Sequence, residues 1–270
     1  MKCFRLALVL LVACVPLAAL AQQKVLLRYA PALDATGAEK LSAELLSAVA
    51  QGQALGLKGS ARTDVATKIT TVNAEAHTVV LQLTLQNVEA NLNGQASQPD
   101  PPAPLCITVD QLGKMTLPAT DPGVPADFMQ TGGVPLHLIA ILAHTLRFPE
   151  QEVAVGEEWQ CQDTYSLPGM GDVPIATRWK LMKLDGDTAT IASTAAATIP
   201  DFKTSNPMAP GTTMDVKGAR LSVTAMTQEY NMKESRLLTN QATLQLDANI
   251  DLGGFALPLT MTMKFELEEG

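Results

Sequence analysis

The strongest constraint on this chain lies near its C-terminus, where apolar and polar residues alternate through two consecutive runs. Ala242, Leu244, Leu246, Ala248, Ile250 and Leu252 alternate with Thr243, Gln245, Asp247, Asn249 and Asp251. Gly253-Gly254 follows, and then Leu257, Leu259, Met261, Met263, Phe265 and Leu267 alternate with Pro258, Thr260, Thr262, Lys264 and Glu266. A period of two puts every apolar side chain on one face of a strand. Two such runs around Gly-Gly predict a long antiparallel hairpin with one face in water.

The pattern recurs upstream. Val79, Leu81, Leu83 and Leu85 alternate with Val80, Gln82, Thr84 and Gln86, and Asp185-Gly186-Asp187 turns one strand, 177–184, into another, 188–193. Residues 220–230 and 235–238 continue it. The fold class these runs predict is mainly β: a curved antiparallel sheet or half-barrel with one or two covering helices. Residues 134–147 predict a helix, with Leu138, Ile141, Leu142 and Thr145 at helical spacing behind Pro135. Residues 38–50 are rich in helix formers and place Leu41, Leu45, Ala48 and Val49 on one helical face. The same stretch also reads as a strand paired with 55–71. Proline marks loops at 95–104, 120–135 and 200–213.

The N-terminus predicts export. Lys2 and Arg5 precede an apolar run over 6–20, and Ala19-Leu20-Ala21 supplies a small-residue cleavage site. The run is shorter than the roughly 20 residues of a membrane span, and it contains Pro16. Residues 1–21 therefore read as a signal peptide, with Gln22 starting the mature chain in the periplasm or outside the cell. Leu11-Val12-Ala13-Cys14 resembles the lipobox of bacterial lipoproteins. There the Cys ends the apolar region, whereas here VPLAALA continues past Cys14, so the lipid-anchored form ranks second.

Residues 22–270 read as a single β-rich domain. Two of the 19 basic residues, Lys2 and Arg5, lie in the leader and none of the 27 acidic ones does, so the remainder carries a net charge of −10. Such a chain is repelled by nucleic acid, and no basic cluster offsets this. No later segment is apolar for long enough to span a membrane as a helix. Cys106 and Cys161 remain after the leader; an even pair in an oxidising compartment predicts one disulfide, with two buried thiols as the alternative. Each lies at the edge of a predicted strand, 105–109 and 158–164.

The catalytic and metal signatures are absent from the sequence. There is no G-x-S-x-G elbow and no H-E-x-x-H. His137 and His144 are seven residues apart, roughly 10 Å along a helix, and read as surface or cap histidines. Gly52, Gly56 and Gly59 fit neither nucleotide-binding fingerprint and read as bends in a strand. Asp185 and Asp187 supply two oxygens where a hard cation wants about six. Glu157 and Glu158 beside Trp159 would point to opposite faces of a strand, so they cannot flank one glycosidic bond. The chain reads as non-catalytic, with no cofactor and no metal.

A faint internal repeat divides the chain into halves, 22–147 and 148–270. Residues 68–72 and 78–81 match 180–184 and 188–191, and 109–115 sits against 231–237. These segments, with Phe148-Pro149-Glu150 and Val155-Gly156-Glu157-Glu158-Trp159, are similar to a group of uncharacterised bacterial secreted proteins and lipoproteins that looks like the lipoprotein-carrier type. The resemblance implies a curved antiparallel sheet that cradles an apolar ligand, and it carries over no catalytic residue.

The candidate lining comes from the C-terminal hairpin: Leu244, Leu246, Ile250, Leu257, Leu259, Met261, Met263 and Phe265 on one face. A helix of 14 residues spans roughly 20 Å, and a strand of eleven reaches roughly 36 Å. One helix leaves part of that face open unless the sheet curls on itself or 38–50 is also helical, and an open part predicts a site for an apolar small molecule or lipid. Met208, Met214, Met226, Met232, Met261 and Met263 would make such a surface adaptable. The alternative is a structural or protein-interaction module of the cell envelope with a filled core and no ligand.

Overall fold

The computed structural model describes residues 24–118, 136–167, 171–205, 213–251 and 255–270. The leader with Cys3 and Cys14, Gly253-Gly254, Met208 and the His137 side chain lie outside the described residues. In chain order the elements are β1 (Lys24–Val25), β2 (Thr36–Ala50), β3 (Gln53–Ala54), β4 (Gly59–Asn73), β5 (Thr78–Leu92), β6 (Gln95–Ser97), β7 (Leu105–Asp110), β8 (Met115–Thr116), α1 (Leu136–His144), β9 (Val153–Ala154), β10 (Glu158–Leu167), β11 (Gly171–Asp185), β12 (Thr188–Thr198), β13 (Phe202–Ser205), β14 (Thr213–Asn231), β15 (Arg236–Asp251) and β16 (Ala256–Glu269).

The main sheet runs β10-β11-β12-β14-β15-β16-β2-β4-β5-β7-β8, every pairing antiparallel, with β3, β6 and β13 on its flanks. It is the half-barrel that the alternation predicts. Val65 of β4 and Trp179 of β11, far apart in strand order, share one core cluster with α1, so the sheet curls around the helix. The two end strands, β8 and β10, lie side by side without ladder pairing.

Residues 38–50 are strand, and the helical reading of them is corrected. In β2, Leu41 pairs with Leu267 of β16 on one edge and with Thr63 of β4 on the other. Leu41, Ala43, Leu45, Ala48 and Ala50 are buried, a period of two with one slip where Leu46 bulges out. Helix propensity separates ordinary residues by less than about 0.7 kcal/mol each, whereas burying one Leu stabilises by roughly 1.5–3 kcal/mol. Tertiary burial therefore overrides the local preference. β2 also joins the two halves of the chain into one continuous sheet.

The second expected helix forms, shorter than 134–147. The matched repeat segments lie on β4/β5 and β11/β12, and on the β7/β8 and β14/β15 turns.

Candidate functional site

The inward face of the C-terminal hairpin is a graded stripe. Across β15 and β16 the partners are Ala242 with Phe265, Leu244 with Met263, Leu246 with Met261, Ala248 with Leu259 and Ile250 with Leu257. Exposure rises along β16 from Leu267 (0%) through Phe265 (1%) and Met263 (3%) to Met261 (8%). Leu259 and Leu257 beyond them are half-buried, as are Leu246 and Ile250. The predicted lining is thus brought together on one face, but its two ends differ. Leu244, Met261, Met263 and Phe265 share a core cluster with Leu136, Ile139, Ala140 and Ala143 of α1. Ala248 belongs to a separate cluster with Val173, Ala197, Ile199, Val216 and Ala219, and Leu246 packs against both clusters while Leu259 packs against the first.

Length explains the gradient. Nine helical residues span roughly 14 Å, and the sixteen of β15 reach roughly 50 Å. α1 packs on β15, β16 and β2, near the ends of β16 and β2 marked by Leu267 and Leu41. It is apolar on nearly every side, since Ile141 turns toward a further cluster with Tyr165, Ile107 and Met115. That is the composition of an inserted helix rather than of an amphipathic lid. Leu138, expected on the packed face, is only half-buried.

Polar groups fasten the C-terminal end of α1. The last carbonyls of a helix have no partner within it. Here the Asn240 amide donates to Ala143 O (2.7 Å) and the Gln228 amide to Thr145 O (2.8 Å). Asn240 and Gln228 are fully buried cross-strand partners on β15 and β14. The Trp159 indole donates to Arg147 O (3.0 Å), and Phe148 N donates to Leu112 O (2.8 Å). These side chains hold the backbone out of helical geometry, and α1 stops at His144 although the apolar pattern runs on.

Arg147 ties the same end to the seam between the end strands. Its Nε donates to Asp163 of β10 (2.8 Å), and its Nη1 donates to Leu112 O (2.8 Å) and lies 3.7 Å from Asp110. Asp110 Oδ1 accepts from the backbone of Leu112 and Lys114, which sets the Asp110-Gln111-Leu112-Gly113-Lys114 turn. Gly113 has φ +78 there, and a Cβ would run into Leu146 O. Only glycine admits that approach.

His144 is buried rather than superficial. Its Nδ1 lies 2.8 Å from Ala140 O, and its Nε2 lies 4.0 Å from Oε2 of Glu39 on β2, with both side chains 6% exposed. Thr67 donates to the other Glu39 oxygen (3.3 Å). Burial, with the Glu39 charge, pushes the Tyr29 phenol far above its ordinary range. Burial does the same to Tyr165 and to Tyr230, whose hydroxyl donates to Arg28 O (2.7 Å).

The expected disulfide is corrected: Cys106 and Cys161 are both free. Leu105 and Ile107 face the core, so Cys106 between them faces solvent; Asp163 and Tyr165 face inward on β10, and Cys161 follows their parity. The two thiols point to opposite faces, and a bridge needs Cβ atoms about 4 Å apart. Burial pushes the Cys161 thiol up.

The acidic candidates resolve into local contacts. Glu157 accepts from Ala154 N (2.9 Å) and pairs with Lys24, which together hold its carboxyl below the usual range. Glu158 pairs with Lys180, and Asp185 pairs with Lys183, two residues before it on β11. On the outer face of β16-β2-β4-β5 lies a groove of 620 Å³. Its rows read Lys264, Glu44, Ser60, Asn91 and Glu266, Ser42, Arg62, Glu89 across the strands. Opposite charges are interleaved, the pattern of a solvated sheet face.

Sequence reading missed Arg147, Asp163, Gln228, Asn240 and Glu39. Parity offered one signal: each of the last four sits at an inward position of a strand, where a polar residue needs a partner. The profile of a family of unknown function, DUF6263, matches residues 143–249, from the end of α1 through most of β15. Arg147, Asp163, Gln228 and Asn240 all fall within it. No curated protein matches the chain.

Proposed function

We propose that this chain is an exported, non-catalytic cell-envelope protein, periplasmic or extracellular, that holds an apolar small molecule or lipid against the concave face of its curled sheet. The observation that carries the reading is the graded stripe. A single apolar face on β15 and β16 is capped by α1 at one end and continues half-buried through Leu246, Ile250, Leu257 and Leu259 at the other. An apolar surface left incompletely covered in a folded protein is a binding surface by default. No fixed charge lies on that row, so the ligand is apolar where it touches the stripe. Met261, with its flexible thioether, lines the boundary and adapts to chains of different shape. Export rests on the basic, apolar and A-x-A order of residues 1–21.

The test is native mass spectrometry of protein purified from its own envelope, together with an environment-sensitive dye competed by fatty acids and phospholipids. A retained lipid mass and competitive dye release are the expected results. Protein that carries no mass and binds no dye would leave a structural module, a reading favoured by the packing of α1 into the interior. N-terminal sequencing at Gln22 is the expected outcome for export, and an acylated Cys14 would establish the anchored form.

A further inference from the structure

His144 and Glu39 meet inside the curl with polar atoms that their surroundings leave unsatisfied. Glu39 comes from β2 and His144 from the last turn of α1, and each side chain is 6% exposed. The carboxylate has a built place. Gly37, on the same face of β2, leaves the room for it: a Cβ there would stand 2.5 Å from Thr67 Oγ1 and 2.6 Å from Glu39 Oε1. Thr67 donates to that same oxygen, which leaves Oε2 for the helix. Oε2 and His144 Nε2 face each other at 4.0 Å. Both atoms are buried, and neither has a hydrogen-bond partner among the described residues.

Hydrogen-bond chemistry decides what lies between them. A carbonyl oxygen only accepts, so the 2.8 Å contact with Ala140 O fixes a proton on Nδ1. A neutral imidazole would then turn a bare lone pair at Nε2 toward a carboxylate oxygen, two acceptors face to face. A bridging water needs the outer atoms roughly 4.5 Å apart, from two bonds of about 2.8 Å at a tetrahedral angle. The gap is too short for one. The other neighbours do not neutralise Glu39. From β16, its cross-strand partner is Glu269, which is held by Arg236 (2.7 Å). From β4, Thr67 and Val65 face it, and from the segment before β2 the Tyr29 phenol feels its charge. Among the described residues, His144 is the one basic side chain within ion-pair distance of Glu39. Like charges opposite one another across strands destabilise a sheet, so a bare carboxylate beside Glu269 is unfavourable.

We propose that one proton is held between His144 Nε2 and Glu39 Oε2, drawing the two atoms to hydrogen-bond distance. It latches the C-terminal end of α1 to β2, the strand that joins the two halves of the sheet. The latch is satisfied by one proton alone: with none, two acceptors oppose each other, and with two, two donors do. It is thus a proton-sensitive element at a helix end whose other ties, the Asn240 and Gln228 amides, do not titrate.

The experiment is NMR of the protein labelled with 15N in its histidines and 13C in its glutamate carboxyls, titrated through the range in which the fold stays intact. In wild type, His144 Nε2 and the Glu39 carboxyl are expected to report one transition at the same pH, because a proton common to two groups titrates as a property of the pair. Nδ1 is expected to stay protonated throughout. In Glu39→Gln the new amide donates to the Nε2 lone pair, so Nε2 is expected to give up its proton and the urea midpoint to stay near that of wild type. His144→Leu strands the Glu39 carboxylate and is expected to lower the folding equilibrium constant about a hundred-fold or more. His144→Leu/Glu39→Leu should recover much of that loss. If His144→Leu does not fold, the wild-type and Glu39→Gln spectra decide alone. Separate transitions for the two groups, or an unprotonated Nδ1, overturn the proposal. So does a His144→Leu variant as stable as wild type. A Glu39→Gln variant whose folding constant rises about ten-fold or more also overturns it, since that gain is the relief of two facing acceptors.

Discussion

The two ends of the curled sheet are built on opposite principles. At the end where α1 terminates, side chains from distant strands meet the backbone carbonyls, Asn240 at Ala143, Gln228 at Thr145 and Trp159 at Arg147, and Arg147 itself ties the segment to Leu112. At the other end the same apolar row continues with no helix over it among the described residues, and leucines and a phenylalanine are exposed on the loops. One end spends its specificity on fixing a plug, and the other leaves apolar surface in contact with solvent. The difference teaches that stability and binding are divided along the length of the strands, so substitutions at the two ends should separate them.

The largest effect is expected from pH. The chain has three tyrosines, and burial raises all three phenols: Tyr29, Tyr165 and Tyr230. An unfolded chain ionises its tyrosines near pH 10, while the folded chain keeps them protonated, so the folded state binds more protons above that pH. Their contribution is therefore complete below about pH 10 and is lost as pH rises beyond it. Tyrosinate absorbance and loss of circular dichroism should appear in one transition. Ionisation near pH 10 with the fold intact would show that the fastened end is looser than described.

Next is Arg147→Met, which strands the buried Asp163 carboxylate and frees the turn at Leu112. Breaking one partner of a buried pair costs about 3–5 kcal/mol, read as a lower urea midpoint. Arg147→Met/Asp163→Leu should recover much of this, because the orphaned charge is then gone. A single variant as stable as wild type would contradict the role given to Arg147.

A matched pair of glycines compares the ends directly. Gly113 and Gly52 both have φ near +78, but a Cβ at Gly113 meets backbone and one at Gly52 meets nothing within 4 Å. Gly113→Ala should cost on the order of 3 kcal/mol, and Gly52→Ala about 1 kcal/mol, the left-handed penalty alone. Equal losses would mean that the close approach to Leu146 contributes nothing.

The smallest stability effect is expected at the open stripe. Leu259→Ser removes a half-buried side chain, so its cost should stay within about 1 kcal/mol, below that of a fully buried Leu. Dye affinity should nevertheless fall several-fold. Unchanged dye affinity would move the ligand away from this row.

What the sequence by itself determined is the set of faces. Alternation from Ala242 to Leu267 placed eight candidate side chains on one side of a hairpin before any partner strand was known, because parity along a strand is a local property. The Asp185-Gly186-Asp187 turn and the helix ahead of Phe148 were legible for the same local reason. Tertiary structure decided the rest. Residues 38–50 carry helix-forming side chains and become the strand that joins both halves, since β16 and β4 bury Leu41 and Leu45 from either side. Cys106 and Cys161 look like a pair in sequence, but they sit at outward and inward parity on their strands, so when the sheet curls their thiols are on opposite faces. Asn240, Gln228 and Arg147 looked like ordinary polar residues. Their roles arise only where the sheet's curvature brings three separated segments to the end of one helix, and curvature is a sum over many strand pairs that no single stretch of sequence contains.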